Sequence, residues 1–565
     1  MPRVRLRLTA TLLAVSLLPA LTITFVNAQH SGIDTYAITN ARIVTVSGPT
    51  INKGNVVVRN GLIVAVGANA DPPTDARVID GTGLTVYPGL IDSYTNLALP
   101  EASPAPAGGG GGGGGFLLAQ LQQASAPRPA GPNSTQPAGL QPETMVEDVI
   151  RIGGTDVESA RNIGFTTALT LPRTGIWMGQ SALINLNADS PQQMIVRSPV
   201  AMHVGFTPLR GSYPGSLMGV FATLRQMMLD ATRYRDSLAI YERSPKGVRR
   251  PDTDRSLAAL IPVIEGKMPV VMFANTEREI GRALDLATEF RLKLIIAGGR
   301  ESDHLTDRLV KQDVPVLLSL NLPRRTTAAI PEADPEPLRV LRERVEAQQT
   351  AGKLAKAKVR FAFESGSLAN ASDIMLNASR TIENGLSAED ALRAFTIWPA
   401  EILGVNNQLG SIEVGKIANL TVTRGDLFDR NSRVTNVFID GRPVDLRPAQ
   451  TPASGQSGPS APRGNLTGAW SLAVNLGEEK TASLNLRQEG DRLTGSMQGP
   501  LGTAEIANAS VGNEVRFTIV LNIDGQTKEA TFAGAVAGNG NEIRGAVTIE
   551  GRAPGTFTAT RSVPN

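Results

Sequence analysis

Gly83-Leu84-Thr85-Val86-Tyr87-Pro88-Gly89-Leu90-Ile91-Asp92 ends a row of short strand-like runs, and its reading decides the fold. Upstream stand Tyr36-Ala37-Ile38, Arg42-Ile43-Val44-Thr45-Val46, Asn55-Val56-Val57-Val58-Arg59 and Leu62-Ile63-Val64-Ala65-Val66. Asn40, Gly48, Asn60-Gly61 and Gly67 separate these runs. Asn60-Gly61 between two apolar runs predicts a hairpin, because both residues tolerate the backbone of a two-residue turn. Strand character returns at 410–446, in runs at 418–423 and 434–439 followed by Asp440-Gly441 as a turn.

Between these ends the pattern changes. Strand-like runs at 166–171, 182–186, 200–204, 269–274, 293–297, 314–318 and 359–363 alternate with helix-like runs. The helix-like runs fall at 144–162, 216–242, 254–266, 277–290, 303–311, 336–357 and 387–395. Such alternation predicts parallel strands joined by crossover helices. A stretch of about 250 residues suits a (β/α)8 barrel. The predicted fold class is therefore α/β: a TIM-like barrel with a β-sandwich composed from both chain ends.

The outer segments read differently. Residues 1–28 have the form of a signal peptide: Arg3, Arg5 and Arg7, an apolar run from Leu8 to Val26, then Val26-Asn27-Ala28 before Gln29. The expected location is periplasmic or extracellular, with no membrane span after its removal. Residues 101–142 are rich in Gly and Pro, with eight consecutive glycines at 108–115, and read as a disordered insertion. Residues 448–463 read as a linker. Residues 464–565 carry alternating strands with Asp524-Gly525 and Gly538-Asn539-Gly540 as turns, which predicts a separate all-β domain.

Composition excludes several chemistries. Cys is absent, so a disulfide scaffold, a thiolate zinc site and a cysteine nucleophile are ruled out. Lys and Arg number 55 against 52 Asp and Glu, and the three leader arginines account for the excess. A broad affinity for nucleic acid has no support. The chain has 3 histidines, His30, His203 and His304. That count restricts any metal chemistry.

Three motifs carry a resemblance. The run at 83–92 is followed, far along the chain, by Phe395-Thr396-Ile397-Trp398-Pro399-Ala400-Glu401-Ile402-Leu403-Gly404. Then comes Leu409-Gly410-Ser411-Ile412-Glu413-Val414-Gly415-Lys416-Ile417-Ala418-Asn419-Leu420. In this order and spacing they resemble the amidohydrolase superfamily in its exported, two-domain form. The resemblance covers roughly 33–447. It implies a composite β-sandwich from 33–91 and 400–447 around a barrel at 92–399. In that family Pro-Gly-Leu-Ile-Asp leads into a His-x-His pair on the first barrel strand. Here Tyr94 and Asn96 occupy those positions, and Phe273 stands where the fifth strand supplies a His. The sixth-strand His should fall near Ala297-Gly298-Gly299. The bridging Lys of binuclear members should fall near 201–203, where the candidates are Ala201 and His203. The last strand's Asp corresponds to Gly366, with Glu364 two residues earlier. A neutral Tyr and an Asn amide are poor zinc ligands, and a hydrolytic centre needs about three protein ligands plus an open position.

The site residues support more than one reading. Glu364 and His203 are the candidate catalytic groups; their plainer roles are a satisfied carboxylate and a hydrogen-bonded core imidazole. Tyr94, Asn96 and Phe273 either contact a ligand or fill the space of a lost metal. Arg300-Glu301 reads as a surface ion pair or reaches the barrel mouth, and His304 as a helix-start residue. The first functional expectation is a catalytically degenerate homologue, with no cofactor, that binds a small molecule or partners a paralogous amidohydrolase subunit. The second is a hydrolase of non-peptide C–N bonds with an unusual site and one divalent metal, zinc by preference. The third is a cell-envelope scaffold. The terminal domain resembles small lipocalin-like barrels through Gly468-Ala469-Trp470-Ser471-Leu472, the run at 486–495 and Gly555-Thr556-Phe557-Thr558-Ala559-Thr560-Arg561. Its interior is expected to be filled, or its surface to serve in docking.

Overall fold

The computed structural model describes residues 35–446, apart from 101–135, 173, 210–212, 324–336, 367, 369 and 371–372. It also describes 466–562, apart from 476–478, 490–491, 500–501, 512–514, 524–525, 537–540 and 550–554. Residues 1–28, read above as a signal peptide, His30, the glycine run and the stretch 448–463, read as a linker, lie outside the described residues. Among the described residues no helix is long and apolar enough to cross a membrane.

The chain opens with β1 (Thr35–Ile43), β2 (Ile51–Arg59), β3 (Leu62–Gly67), β4 (Arg77–Asp80) and β5 (Thr85–Pro88). β2 and β3 form the predicted hairpin, with Asn60 at φ 51° and Gly61 at φ 81°. Both residues of the turn are left-handed, as this turn type requires.

The barrel follows. Its elements are β6 (Leu90–Thr95), α1 (Thr155–Ile163), β7 (Phe165–Thr170), β8 (Trp177–Gln180), β9 (Ala182–Asn185), β10 (Ile195–Arg197) and β11 (Met202–Gly205). Next come α2 (Leu217–Arg243), α3 (Arg255–Ile264), β12 (Val270–Ala274), α4 (Glu277–Phe290), β13 (Leu294–Gly298), α5 (Thr306–Lys311), β14 (Val316–Ser319), α6 (Leu338–Lys356) and β15 (Phe361–Glu364). The helices α7 (Asp373–Glu383), α8 (Ala388–Phe395) and α9 (Ile397–Ile402) complete it.

β6 and β7 are parallel, as are β11 through β15 in sequence order. The stave between these groups differs from the expectation of an all-parallel wall. β9 runs antiparallel to β7, and β8 antiparallel to β11. Residues 171–176 are too few for a parallel crossover, which takes a dozen or so residues, so the chain turns straight back. Side-chain and backbone bonds join β6 to the far edge: Ser93 Oγ donates to the Phe363 carbonyl (2.7 Å) and the Gly366 amide to the Tyr94 carbonyl (3.0 Å).

Three further differences have local causes. The run at 144–162 forms one 3-10 turn at Val146–Asp148 and becomes α-helical only from Thr155, because Gly153 and Gly154 take φ of 75° and 110°. The insertion read as reaching 142 is ordered at its end, where buried Leu140 anchors the chain and the Gln141 amide bonds the Trp177 carbonyl (3.0 Å). Residues 400–409, assigned above to the sandwich, belong to the barrel interior. Ala400, Leu403, Val405 and Leu409 share one core with Ile91, Val271, Ile295 and Leu317. α9 and the turn after it thus plug the barrel from one end.

The chain then returns as β16 (Leu420–Arg424), β17 (Arg433–Ile439) and β18 (Arg442–Val444). β16 pairs antiparallel with β5, giving the sheet order β18-β17-β16-β5-β1-β2-β3, with β4 on β1. A bridge between Leu62 and Ile417 brings the β3 edge back toward β16, so the sheet curls around its own core. Asn419 rivets it to the barrel: its Nδ2 donates to Thr167 Oγ1 (2.9 Å) and Asn185 Oδ1 (2.8 Å).

The terminal region forms a closed eight-stranded barrel, β19 (Gly468–Asn475), β20 (Glu479–Glu489), β21 (Arg492–Gly499), β22 (Gly502–Val511), β23 (Val515–Ile523), β24 (Gln526–Val536), β25 (Glu542–Ile549) and β26 (Gly555–Arg561). Each strand is antiparallel to the next, and β26 closes on β19. Trp470, Phe517, Phe532 and Phe557 occupy its core, with Phe517 and Phe532 stacked at 4.8 Å. Arg561 lies 5.0 Å over the Trp470 ring, whose Nε1 donates to the Leu466 carbonyl (3.0 Å).

Candidate functional site

Alternation along parallel staves sends every second side chain inward. On β12, Val271 joins the barrel interior and Phe273 follows it at the mouth; on β15, Ala362 is followed by Glu364; Ala201, just before β11, is followed by His203 on that strand. Tyr94 projects from β6 into the same layer. Its ring stacks on Phe273 at 5.8 Å and 29°, and meets His203 at 5.8 Å and 54°. Tyr94 and Phe273 keep some solvent contact, whereas His203 and Glu364 are fully buried.

Electrostatics follow from that arrangement. Burial pushes the Tyr94 hydroxyl above its ordinary value, and the neighbouring Glu364 charge adds to the shift. The phenol is thus held neutral. Burial alone pulls His203 down to about 3, so its imidazole is neutral as well. Neither ring nitrogen of His203 has a hydrogen-bond partner among the described residues. The expectation of a hydrogen-bonded core histidine is met in burial and not in bonding. Glu364, at the wall's far edge, is engaged by a partner.

One element of the site was not anticipated. Asp92, fully buried, accepts the Ser365 amide (3.0 Å) on Oδ1 and the Ser365 hydroxyl on Oδ2. Desolvation raises its carboxyl to about 6, against the pull of the Ser365 bonds and of the Tyr94 amide. This clasp closes the barrel between its first and last staves. Its signal was present in the sequence: a carboxylate at the end of the apolar run 88–92 must find buried donors.

The remaining candidates take other roles. Asn96 lies one residue beyond β6, where its carbonyl accepts the Leu99 amide (3.4 Å). His304 is partly exposed and faces Glu277 at 3.4 Å. Arg300 and Glu301 do not pair with each other. Arg300 bonds Glu343 (2.7 Å), and Glu301 accepts the Glu277 amide (2.6 Å). Both line the mouth.

Residues 335–444 match the amidohydrolase family. The chain carries an amidohydrolase-family domain. The fold agrees: an amidohydrolase from Thermotoga maritima MSB8 superposes with a TM-score of 0.61 at 24% identity, covering 73% of this chain and 100% of that one. A dihydropyrimidinase from Arabidopsis thaliana is 34% identical over 76 residues, which are 13% of this chain; the match spans 14% of that relative's length. An adenosine deaminase from Xanthomonas campestris with bound zinc aligns over 72% of this chain and 92% of its own at 18% identity, with a TM-score of 0.38.

Amidohydrolases usually bind a divalent metal. The donors here do not fit one. Tyr94, Asn96 and Phe273 hold the expected ligand positions, and no group of three or more His, Asp or Glu among the described residues converges on a point. Backbone geometry also stands against ligands at two other positions. A β-carbon on Gly366 would stand 2.5 Å from the Tyr94 carbonyl oxygen. On Gly298, at φ 86°, one would stand 2.6 Å from Asn275 Oδ1. Side chains are excluded there unless the neighbours move.

Proposed function

We propose that this amidohydrolase homologue works without a metal, and that its barrel mouth serves to bind a small molecule rather than to hydrolyse one. The observation that carries the reading is the Tyr94–Phe273 stack, two aromatic rings standing where the family places imidazoles. Gly366 supports it, since the acid that would manage the proton of an attacking water has no room at that position. In this reading the protein is exported to the periplasm or cell exterior. It acts as a binding protein in its own right or beside an active paralogue.

Metal content of the purified mature protein tests the reading directly. Elemental mass spectrometry after chelator-free dialysis should return less than about a tenth of a metal per chain, because so few donors hold a metal weakly. Near-stoichiometric zinc, manganese or iron would sink it.

The unpartnered imidazole of His203 favours a second reading. A buried neutral histidine beside Tyr94, with Glu364 in the same layer, matches the elements of a general acid–base site. Hydrolysis of a C–N bond abolished by Glu364→Gln, in protein that still melts normally, would establish that reading over the first.

A further inference from the structure

Beside the Tyr94–Phe273 stack a cavity of about 440 Å³ opens at the ends of β11, β12 and β13. Phe206, Pro208, Leu217 and Phe273 supply its apolar surface. Both rings are braced from behind, Phe273 by Tyr94 and Phe206 by Phe221 at 4.8 Å. Among the described lining residues the polar side is unbalanced in sign: Glu279, Glu301 and Glu343 face one guanidinium, Arg300.

These carboxylates are fixed by the fold. Glu279 accepts the Asn275 amide (3.0 Å) and the Thr276 amide (3.1 Å) through Oε2, as part of the capping box that starts α4. Glu301 is held through Oε2 by the Glu277 amide, and Glu343 through Oε1 by Arg300, which it neutralises. Each keeps its other oxygen without a bond among the described residues. The three do not converge closely enough to hold a metal ion. Fixed, spread negative charge beside aromatic surface favours a diffuse organic cation, by charge-assisted hydrogen bonds and by ring quadrupoles.

We infer that this cavity takes an organic cation, an ammonium or amidinium head on a small apolar body. The inference rests on the binding role proposed above and names its ligand class. Calorimetric titration of the full mature chain at low ionic strength tests it, with benzylammonium, benzyl alcohol and phenylacetate as probes of nearly equal shape. Benzylammonium should bind about tenfold or more tighter than benzyl alcohol, the worth of one good charge-assisted bond. Phenylacetate should not bind. Glu301→Gln and Glu343→Gln should each remove most of the cation's advantage and leave benzyl alcohol unchanged. Thermal melting confirms that each variant is folded, and the two lie on different elements. Equal affinity for the cation and the alcohol, a preference for phenylacetate, or indifference to both variants would overturn the inference. Any of these in metal-free protein leaves the parent reading standing, whereas stoichiometric metal removes the parent.

Discussion

The Gly366 amide meets the Tyr94 carbonyl at 3.0 Å, and a β-carbon on residue 366 would stand 2.5 Å from that same oxygen. The carbonyl that helps close the barrel thus also excludes a side chain from residue 366, where the family resemblance expects an acid. Gly366→Ala should destabilise the fold by about 1–3 kcal/mol, as overpacking does. Gly366→Asp should cost at least as much and bring no metal uptake. Melting curves and elemental analysis of both variants check this. A stable, zinc-loaded Asp variant would contradict the geometry.

Asp92 and His203 should respond to acid in opposite directions. Asp92 has a folded pKa of about 6, above the ordinary 3.8, so its ionisation burdens the fold above pH 6 and that burden disappears as pH falls toward 4. His203 has a folded pKa of about 3, below the ordinary 6.5, so the stability it contributes is present above pH 6.5 and is lost as pH falls toward 3. Between pH 4 and 6 the two changes oppose each other. Relative to the wild type, Asp92→Asn should gain stability as pH rises from 4 to 7, with a limiting slope of about 1.4 kcal/mol per pH unit. His203→Phe should gain as pH falls over the same range. Urea midpoints at unit pH steps give both slopes. Parallel trends in the two variants would refute the assignment.

Asn419 joins β16 to the barrel through Thr167 and Asn185, and its own Oδ1 accepts the Asp440 amide (2.8 Å). Asn419→Ala would strand several buried polar groups at once. The expected cost is roughly 2–4 kcal/mol, a few times one unsatisfied group. Asn419→Asp should also destabilise, since it removes the donor to Asn185 Oδ1 and sets a charge against it. Chemical denaturation of both variants measures these costs.

Trp470 belongs to a core separate from those of the barrel and the curled sheet. Trp470→Ala should destabilise the terminal barrel by about 3–5 kcal/mol, the usual range for a buried aromatic truncated in place. The transition of the larger unit should not move. Calorimetry of the full chain against the variant separates the two, and a joint shift would show that the cores are coupled.

The runs before Asp92 were legible because β-branched residues, turn residues and Asn60-Gly61 all agreed on strands. Most barrel strands and helices fell within two residues of their observed limits. β8 was missed: Trp177 to Gln180 follows a Pro and Gly-bearing stretch without alternation, and its antiparallel direction follows from the shortness of 171–176. The positions at which the family resemblance expects ligands can be assigned one by one, since each sits beside a recognisable strand. Their packing could not. The meeting of Tyr94, Phe273 and His203 depends on three staves far apart in the chain, as does the Asp92–Ser365 clasp.

The pairing of β5 with β16 sets an order on folding. Leu420 lies opposite Pro88, and Gly89 bonds the Asn419 carbonyl (2.7 Å), so the first sheet lacks a central neighbour until residues beyond 420 exist. The plug at 400–409 likewise comes after the last stave. During synthesis, the early strands must therefore wait with unpaired edges for most of the chain to emerge. Such long-range closure is slow and leaves apolar surface open to association. A chain stopped just after β15 should accumulate in aggregates, although it contains every barrel stave.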